Sequence, residues 1–155
     1  MATETTAQKA PRLPPQWFMR WFWRNHRRVY RVTGGRFGLW RPTDQRWGAM
    51  RVRAVGRRSG EERPVMVGYF EDGENLVVMA MNGWRAPDPQ WWLNVQAHPD
   101  VVVDTKDGPR DVHARAAAGE EWDRLWARWC AYDGNLDAVA ARRPGGTAIV
   151  VFEPR

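Results

Sequence analysis

Residues 55–64, VGRRSGEERP, place Arg57, Arg58 and Arg63 around a serine–glycine turn between two apolar segments. Guanidinium groups held this close repel one another, and a turn between strands needs only the serine and the glycine. Two interpretations are open. The loop is either a solvated basic turn, partly neutralised by its two glutamates, or a cradle in which the guanidinium groups, the Ser59 hydroxyl and exposed backbone N–H groups bind one phosphate.

Two segments downstream of this loop suit a flat, anionic ligand. AMNGW (80–84) closes an apolar run with a glycine turn, where a planar ring could lie against the main chain. PDPQWWLN (87–94) opens a predicted helix, and the first turn of a helix attracts anions. The basic loop, the glycine turn and the helix start together favour a phosphorylated ring cofactor.

The remaining candidates for acid–base, nucleophilic or metal chemistry are sparse. His26, His98 and His113 fall on separate predicted elements, and no cluster of histidine, cysteine and carboxylate residues has metal-ligand spacing. Cys130 is the only cysteine and lies in a tryptophan-rich helical pattern, which is typical of a small core residue. Glycine-rich nucleotide-binding motifs are absent. An enzyme with this sequence would therefore depend on a cofactor for its chemistry.

The hydrophobic pattern predicts an α+β chain in which the basic loop connects the first two strands. Apolar runs predict strands over 49–55, 64–71, 76–81, 101–105, 110–117 and 147–153. Helical spacing predicts helices from residue 15 to a stop at Gly34–Gly35, over 88–97 with Asp88 as N-cap, over 120–132, and over 134–143 after a break at Gly134. Six mostly antiparallel strands joined by short turns predict a small, mainly β barrel with helices packed outside.

Length, charge and cysteine content narrow the classes of function. A chain of 155 residues, 43% of them hydrophobic, is expected to form one domain over 15–155 behind a disordered polar tail at 1–14. The net charge of +6 and the pI near 10.4 favour anionic partners. The single cysteine, the lack of a long apolar run and the polar N-terminus predict a cytoplasmic protein. The arginines are dispersed without a nucleic-acid motif, so nucleic acid is not an expected partner.

Four segments carry a resemblance to a known family: YRVTGGRFG (30–38), the stretch from VGRRSGEERP to MNGW (55–84), DPQWWLNVQAHPDVVV (88–103) and AIVVFEP (148–154). Their specific feature is a G-R-[RK]-[ST]-G-x-x-R-P loop followed by an N-G turn and a P-x-W-[YW]-x-N helix start. Over residues 17–154 the chain resembles the deazaflavin (coenzyme F420)-dependent nitroreductase family, the Ddn-like members of the flavin and deazaflavin split-barrel oxidoreductases.

The resemblance implies a split β-barrel that binds coenzyme F420. The reduced ring would pass a hydride from C5 to an apolar electrophile such as a quinone, an enone or a nitro compound. The cofactor's phosphate and acidic tail would lie at the basic loop, its ring at a strand end, and the rest of the pocket at a helix start. The implied cofactor-binding residues are Arg57, Arg58, Ser59 and Arg63 in the loop, Met79, Ala80, Met81 and Asn82 at the strand end, and Gln90, Trp91, Trp92, Leu93 and Asn94 in the helix.

The substrate side departs from the family's pattern. Met81 stands where the best-known member has a serine, Trp84 replaces a second glycine, and only Tyr132 remains of a tyrosine-rich lid corresponding to residues 131–142. Negative charge develops on a hydride acceptor, so a nearby donor is expected, for which Asn82, Tyr132 and backbone N–H groups are the candidates. Alternatives stay open: the same barrel using FMN, or a non-catalytic carrier of deazaflavin, haem or a lipid.

The predicted N-terminal helix, residues 15–32, separates aromatic from cationic side chains. Its first half holds the rings and its second half most of the cations: Trp17, Phe18, Trp21, Phe22 and Trp23, then Arg20, Arg24, Arg27, Arg28 and Arg31. This helix either packs its apolar side on the barrel or lies on an anionic membrane surface. A peripheral position on the inner face of the membrane would give access to a lipid-soluble quinone. The oligomeric state stays open.

Overall fold

The computed structural model describes residues 15–35 and 37–155, and the tail predicted at 1–14 lies outside the described residues. Within this part of the chain the helices are α1 Gln16–Val32, α2 Gln90–Ala97, α3 Gly119–Tyr132 and α4 Leu136–Ala140. The strands are β1 Gly48–Val55, β2 Glu62–Asp72, β3 Asn75–Ala80, β4 Asp100–Thr105, β5 Gly108–Ala116 and β6 Ala148–Pro154.

The six strands of the described chain form a closed barrel in the order β1-β2-β3-β6-β5-β4, and β4 pairs back with β1. Each of these pairings is antiparallel. The predicted fold class is confirmed, with small shifts in strand ends. β2 begins at Glu62 rather than at residue 64, and β3 ends at Ala80 rather than at Met81.

The alternation of side chains along the strands divides the apolar residues between two cores. Val78 of β3 and Phe152 of β6 belong to the core inside the barrel, which all six strands share. Val77 and Val151 belong to a second core outside the barrel, which β3 and β6 share with α3 and α4. Because β3 and β6 are covered on both faces, they read in the sequence as continuous apolar runs rather than as alternating ones.

Helix α2 contributes to the core inside the barrel. Trp91, Trp92 and Val95 pack with the inward-facing strand residues, and all three are buried. Two adjacent indoles fit there because their rings are tilted by 59°, with centroids 6.2 Å apart. The start of α2 is therefore fixed by large apolar side chains.

Helix α3 covers the outside of the barrel with the stripe that the sequence predicts. Leu125 and Trp129 are buried in the second core, while Trp122 and Trp126 stack on each other with ring centroids 5.1 Å apart. The break predicted at Gly134 is confirmed, since α3 ends before it and α4 begins after it.

Helix α1 contacts the rest of the chain through its second half. It ends at Val32, ahead of two glycines at positive φ, as predicted. The Arg51 guanidinium of β1 lies 5.3 Å from the Tyr30 ring centroid. The first half is different, because Trp17 is 70% exposed and Trp21 49% exposed. The interpretation that α1 packs its whole apolar side on the barrel is wrong for these two residues.

Candidate functional site

The basic loop between β1 and β2 is closed by its own backbone. The Gly56 N–H donates to the Glu61 carbonyl and the Gly60 N–H donates back to the Gly56 carbonyl, both at 2.8 Å. Gly60 has φ of +70°, which favours glycine, and the Glu61 N–H donates to Ser59 Oγ at 3.3 Å. The turn itself uses the Gly60 amide, so that group is not among the backbone N–H groups that the loop could offer to a ligand.

Arg57 fastens this loop to α2. Its backbone N–H donates to Asn94 Oδ1 at 3.2 Å, and its Nη1 donates to the same oxygen and to Gln90 Oε1, both at 3.0 Å. Asn94 is buried and lies one helical turn beyond Gln90. These acceptors are neutral amides, so the guanidinium keeps its positive charge available for an anion.

The loop and the start of α2 line a cavity of about 440 Å³ that is open to solvent. The cavity brings together seven of the residues that the sequence analysis assigned to cofactor binding. Its lining consists of Gly56, Arg57, Arg58, Ser59, Arg63, Gln90, Trp91 and Asn94. A side chain on Gly56 would displace the Ser59 hydroxyl, because an added Cβ would lie 2.5 Å from Ser59 Oγ.

The charge of this cavity is positive. Within the described chain, Arg58 has no ion-pair partner, and Arg63 pairs only with the exposed Glu61 at 2.8 Å. Trp91 adds an apolar wall, and Gln90 lies in the first turn of α2, where helix amides carry partial positive charge. The donor set suits an oxyanion such as a phosphate or carboxylate.

The strand-end residues of the sequence prediction lie elsewhere. None of the described residues 79–82 lines the cavity. Ala80 is buried in the core inside the barrel, Met79 is buried in the second core, and Met81 is half-buried against the second core. Asn82 is exposed in the loop that follows β3. On α2, Trp92 is buried in the core inside the barrel and Leu93 is half-buried.

Both candidate donor side chains already bond to main-chain carbonyls. Asn82 Nδ2 lies 3.5 Å from the Pro87 oxygen, and the Tyr132 hydroxyl donates to the Thr43 oxygen at 3.1 Å. The Tyr132 ring packs in the second core against Phe70 and Trp129, with centroid distances of 6.1 and 5.8 Å. The Tyr132 hydroxyl, which has a single hydrogen, would have to exchange this bond for one to a substrate, whereas the Asn82 amide has a second N–H.

A buried arginine, which the sequence analysis missed, ties the glycine-turn segment to the segment after α4. The Arg143 side chain is only 2% exposed. Its Nη1 donates to the Ala80 carbonyl at 2.6 Å, and its Nη2 bonds to the Asp88 carboxylate. Arg143 thus joins the end of β3 to the residues just before α2. AARRPGG carries no local signal for this role, because both partners lie more than fifty residues away in the sequence.

The same contact overturns the predicted cap of α2. The residue at the N-cap position is Pro89, which makes no side-chain cap hydrogen bond. Asp88 was expected to cap the helix, but its carboxylate bonds to Arg143 instead. A long-range ion pair to a buried guanidinium has replaced the local interaction.

The Cys130 thiol lies away from this cavity. Its Sγ is 3.7 Å from Asp137 Oδ1, and burial together with that carboxylate raises its pKa. A thiol whose pKa is raised is mostly protonated at neutral pH and is a poor nucleophile.

The F420H(2)-dependent quinone reductase family model matches residues 21–154, which is most of the chain. The chain belongs to this family. An F420H(2)-dependent quinone reductase of Mycobacterium tuberculosis is 28% identical over 105 residues, which cover 68% of this chain and 68% of that protein. The resemblance drawn from the basic loop and the helix start is therefore confirmed.

Two solved structures share the fold of this F420H(2)-dependent quinone reductase family member. A chain described as a domain-swapped dimer has a TM-score of 0.65 at 23% identity, covering 87% of this chain and 98% of that one. The F420-H2 dependent reductase FDR-A has a TM-score of 0.60 at 24% identity, covering 68% and 92% respectively. At these identities the likeness shows the barrel fold.

Family membership makes the chain an oxidoreductase whose cofactor is coenzyme F420. The cavity fits the charged part of that cofactor, since its donors are guanidinium, hydroxyl and amide groups and its surplus charge is positive. The absence of a side chain at Gly56 leaves room for the Ser59 hydroxyl in its present position.

Proposed function

We propose that this protein reduces a quinone or a similar apolar electrophile with F420H2, and that the cavity between the basic loop and α2 holds the phosphate of the cofactor. The supporting observation is the convergence of Arg57, Arg58, Ser59 and Arg63 with Gln90, Trp91 and Asn94 on one cavity. The loop and the helix are separated in sequence, and Arg57 joins them through Asn94.

The residues of this chain would act mainly by binding and orientation. Arg58 and Arg63 would bind the phosphate oxygens, and the Ser59 hydroxyl would donate to one of them. Asn94 would hold Arg57 in position, which reduces the entropy lost when the ligand binds. When bound, the reduced deazaflavin supplies the hydride that the acceptor receives.

The ring would lie near the end of β3, beside the segment Met79, Ala80, Met81 and Asn82, with Trp92 and Leu93 behind it. This placement rests on the family resemblance of the strand end. In the structure Arg143 holds the Ala80 carbonyl at 2.6 Å, and Met81 and Asn82 are the more exposed residues of the segment. Asn82 and Tyr132 are the side chains proposed to donate to the acceptor as negative charge develops on it.

Oxidation of F420H2 by a water-soluble naphthoquinone tests this function. The reaction is followed under anaerobic conditions by the return of the oxidised cofactor's absorbance. A parallel assay replaces F420H2 with FMNH2. We expect turnover with F420H2, and a higher KM for F420H2 in Arg58→Ala, because that residue would contact the phosphate. Tight F420 binding without turnover on any quinone, enone or nitro compound would favour a non-catalytic carrier instead.

We also propose that α1 attaches this protein to an anionic membrane surface, where lipid-soluble quinones reside. The support is the exposure of Trp17, Phe18, Trp21 and Phe22 at one end of the helix, with arginines following. Aromatic rings favour the headgroup region, and each nearby cation adds about 1 kcal/mol of attraction to anionic lipid. Among the helices of the described chain, none is long and apolar enough to cross a membrane.

Sedimentation with vesicles tests the attachment. We expect binding to anionic vesicles at low salt, release at high salt, and weaker binding after deletion of residues 1–24. Binding that is absent at low salt, or unchanged by the deletion, would contradict the proposal. A doubled molecular mass in solution that the same deletion abolishes would indicate that a second copy of the chain covers these rings.

A further inference from the structure

A second cavity lies between α1 and the β1–β2 hairpin. Its volume is about 130 Å³, and its walls include Arg27 and Arg31 from α1, Arg51 from β1, and Val65 and Met66 from β2. Arg51 is directly opposite Met66 in the hairpin register. Three arginines thus line a small space together with apolar residues of β2.

The charges around this second cavity are only partly compensated. Arg51 has two carboxylate neighbours, Asp104 at 3.3 Å and Glu62 at 3.7 Å. Arg27 and Arg31 have no ion-pair partner within residues 15–35 and 37–155, although they lie one turn apart on the same helix. Like charges at this spacing destabilise a helix by a few tenths of a kcal/mol. An anion between them would remove that repulsion.

On β2 the residues that line the second cavity directly follow the one that lines the first. Arg63 lines the first cavity, and the next residues, Pro64 and Val65, line the second. Strand residues advance by about 3.3 Å each, so the two linings are close along β2, but Arg63 and Pro64 point to opposite faces, since Ala54 opposite Arg63 is buried inside the barrel. Between them on β1 lies Arg53, directly opposite Pro64 and paired with Asp104 at 2.6 Å. An extended, multiply charged ligand held at the first cavity could therefore continue over the hairpin edge into the second.

We propose that the second cavity binds carboxylates of the glutamate tail of coenzyme F420, on condition that the first cavity holds the cofactor's phosphate as proposed above. The planar guanidinium fork of Arg27 and that of Arg31 match a carboxylate in shape and charge. Arg51 adds a third donor, already oriented by Asp104 and by the face of Tyr30. The cavity thereby selects for cofactor molecules with long tails.

The test measures dissociation constants for F420 preparations with one glutamate and with five or more, by quenching of tryptophan fluorescence. We expect the wild type to bind the long-tailed form more tightly at low salt. The double variant Arg27→Ala/Arg31→Ala should lose affinity for the long-tailed form by about tenfold, as expected for two exposed ionic contacts, and keep its affinity for the short-tailed form. Thermal unfolding checks that both proteins remain folded.

The matched control is Arg24→Ala/Arg28→Ala, which removes the same charge from the same helix at positions that line neither of the two cavities. We expect its preference for long tails to be unchanged. Equal loss of affinity in both double variants would overturn the inference, since it would indicate general attraction to a basic helix.

Equal binding of short-tailed and long-tailed F420 by the wild type would overturn this inference alone and leave the proposed function intact. Failure of every F420 form to bind would overturn both. If the wild type shows no tail preference but needs Arg27 and Arg31 for binding to anionic vesicles, the cavity serves lipid phosphates and the inference is wrong.

Discussion

The Asn94 side-chain oxygen accepts two hydrogen bonds from Arg57, one from its backbone N–H at 3.2 Å and one from its Nη1 at 3.0 Å. A single buried amide thus fixes both the main chain and the guanidinium of the loop residue. The contact joins two segments of the family pattern, G-R-R-S-G and P-x-W-W-x-N, which are far apart in the sequence.

Asn94→Ala should therefore weaken cofactor binding even though Asn94 need not touch the cofactor. Removing the acceptor leaves the Arg57 amide without its partner, at a cost of about 1–3 kcal/mol shared between stability and affinity. The measurements are the dissociation constant for F420 and the melting temperature. Gln96→Ala is the control, because Gln96 is exposed on the same helix. Unchanged affinity in Asn94→Ala would contradict this role.

Arg58→Ala should weaken F420 binding by about 1.5–3 kcal/mol, the contribution of a charge-assisted hydrogen bond. Its melting temperature should not change, because among the described residues Arg58 forms no ion pair. Arg28→Ala removes the same charge from α1 and should bind F420 as the wild type does. If the two variants bind alike, the basic loop is a solvated turn rather than a phosphate site.

Arg143→Met should destabilise the fold by about 2 kcal/mol or more, because it leaves the buried Ala80 carbonyl without a donor. For a chain of this length that corresponds to a fall in melting temperature of roughly 4–8 °C. Arg124→Met is the comparison, since it removes the more exposed pair with Asp72 and should cost below about 1 kcal/mol. An equal loss of stability in the two variants would show that the buried Arg143 contributes no more than an exposed ion pair does.

The Asp72 carboxylate should make stability depend on pH in the acid range. The hydrogen bond from Arg124 lowers the pKa of Asp72 below its ordinary value of 3.8. A lowered folded-state pKa stabilises the fold above the ordinary value, and this contribution is lost as pH falls through the lowered one. In urea unfolding, the wild type should therefore have a higher free energy of unfolding than Asp72→Asn at about pH 6, and the difference should be much smaller near pH 2. A difference in unfolding free energy that stays constant with pH would contradict the role of the Asp72 carboxylate.

The strands were predictable from sequence because their signal is local. β1 alternates between buried Val52 and the outward-facing Arg51 and Arg53. β3 and β6 carry unbroken apolar runs over 76–80 and 148–152 because they are covered on both faces. The glycine stop of α1 and the break before α4 are equally local. Seven of the proposed cofactor residues could also be named from the sequence, because they belong to the family pattern, and they line one cavity.

The long-range contacts were not predictable. Asp104 bonds both arginines of β1, and Arg143 takes the carboxylate that was expected to cap α2. Such pairs depend on which strands become neighbours, and that information lies in the topology rather than in any short segment. The exposure of Trp17 and Trp21 likewise depends on where α1 leaves the barrel, which helical spacing does not specify.

The most direct test of the account is a titration of the purified protein with F420 and with FMN, followed by tryptophan fluorescence. The cavity carries more positive charge than one phosphate requires, because Arg57, Arg58 and Arg63 all line it. The additional carboxylates of F420 should therefore give it the lower dissociation constant, and the gap should narrow as salt is added. Equal or tighter binding of FMN would contradict the assignment of this cavity to the deazaflavin cofactor.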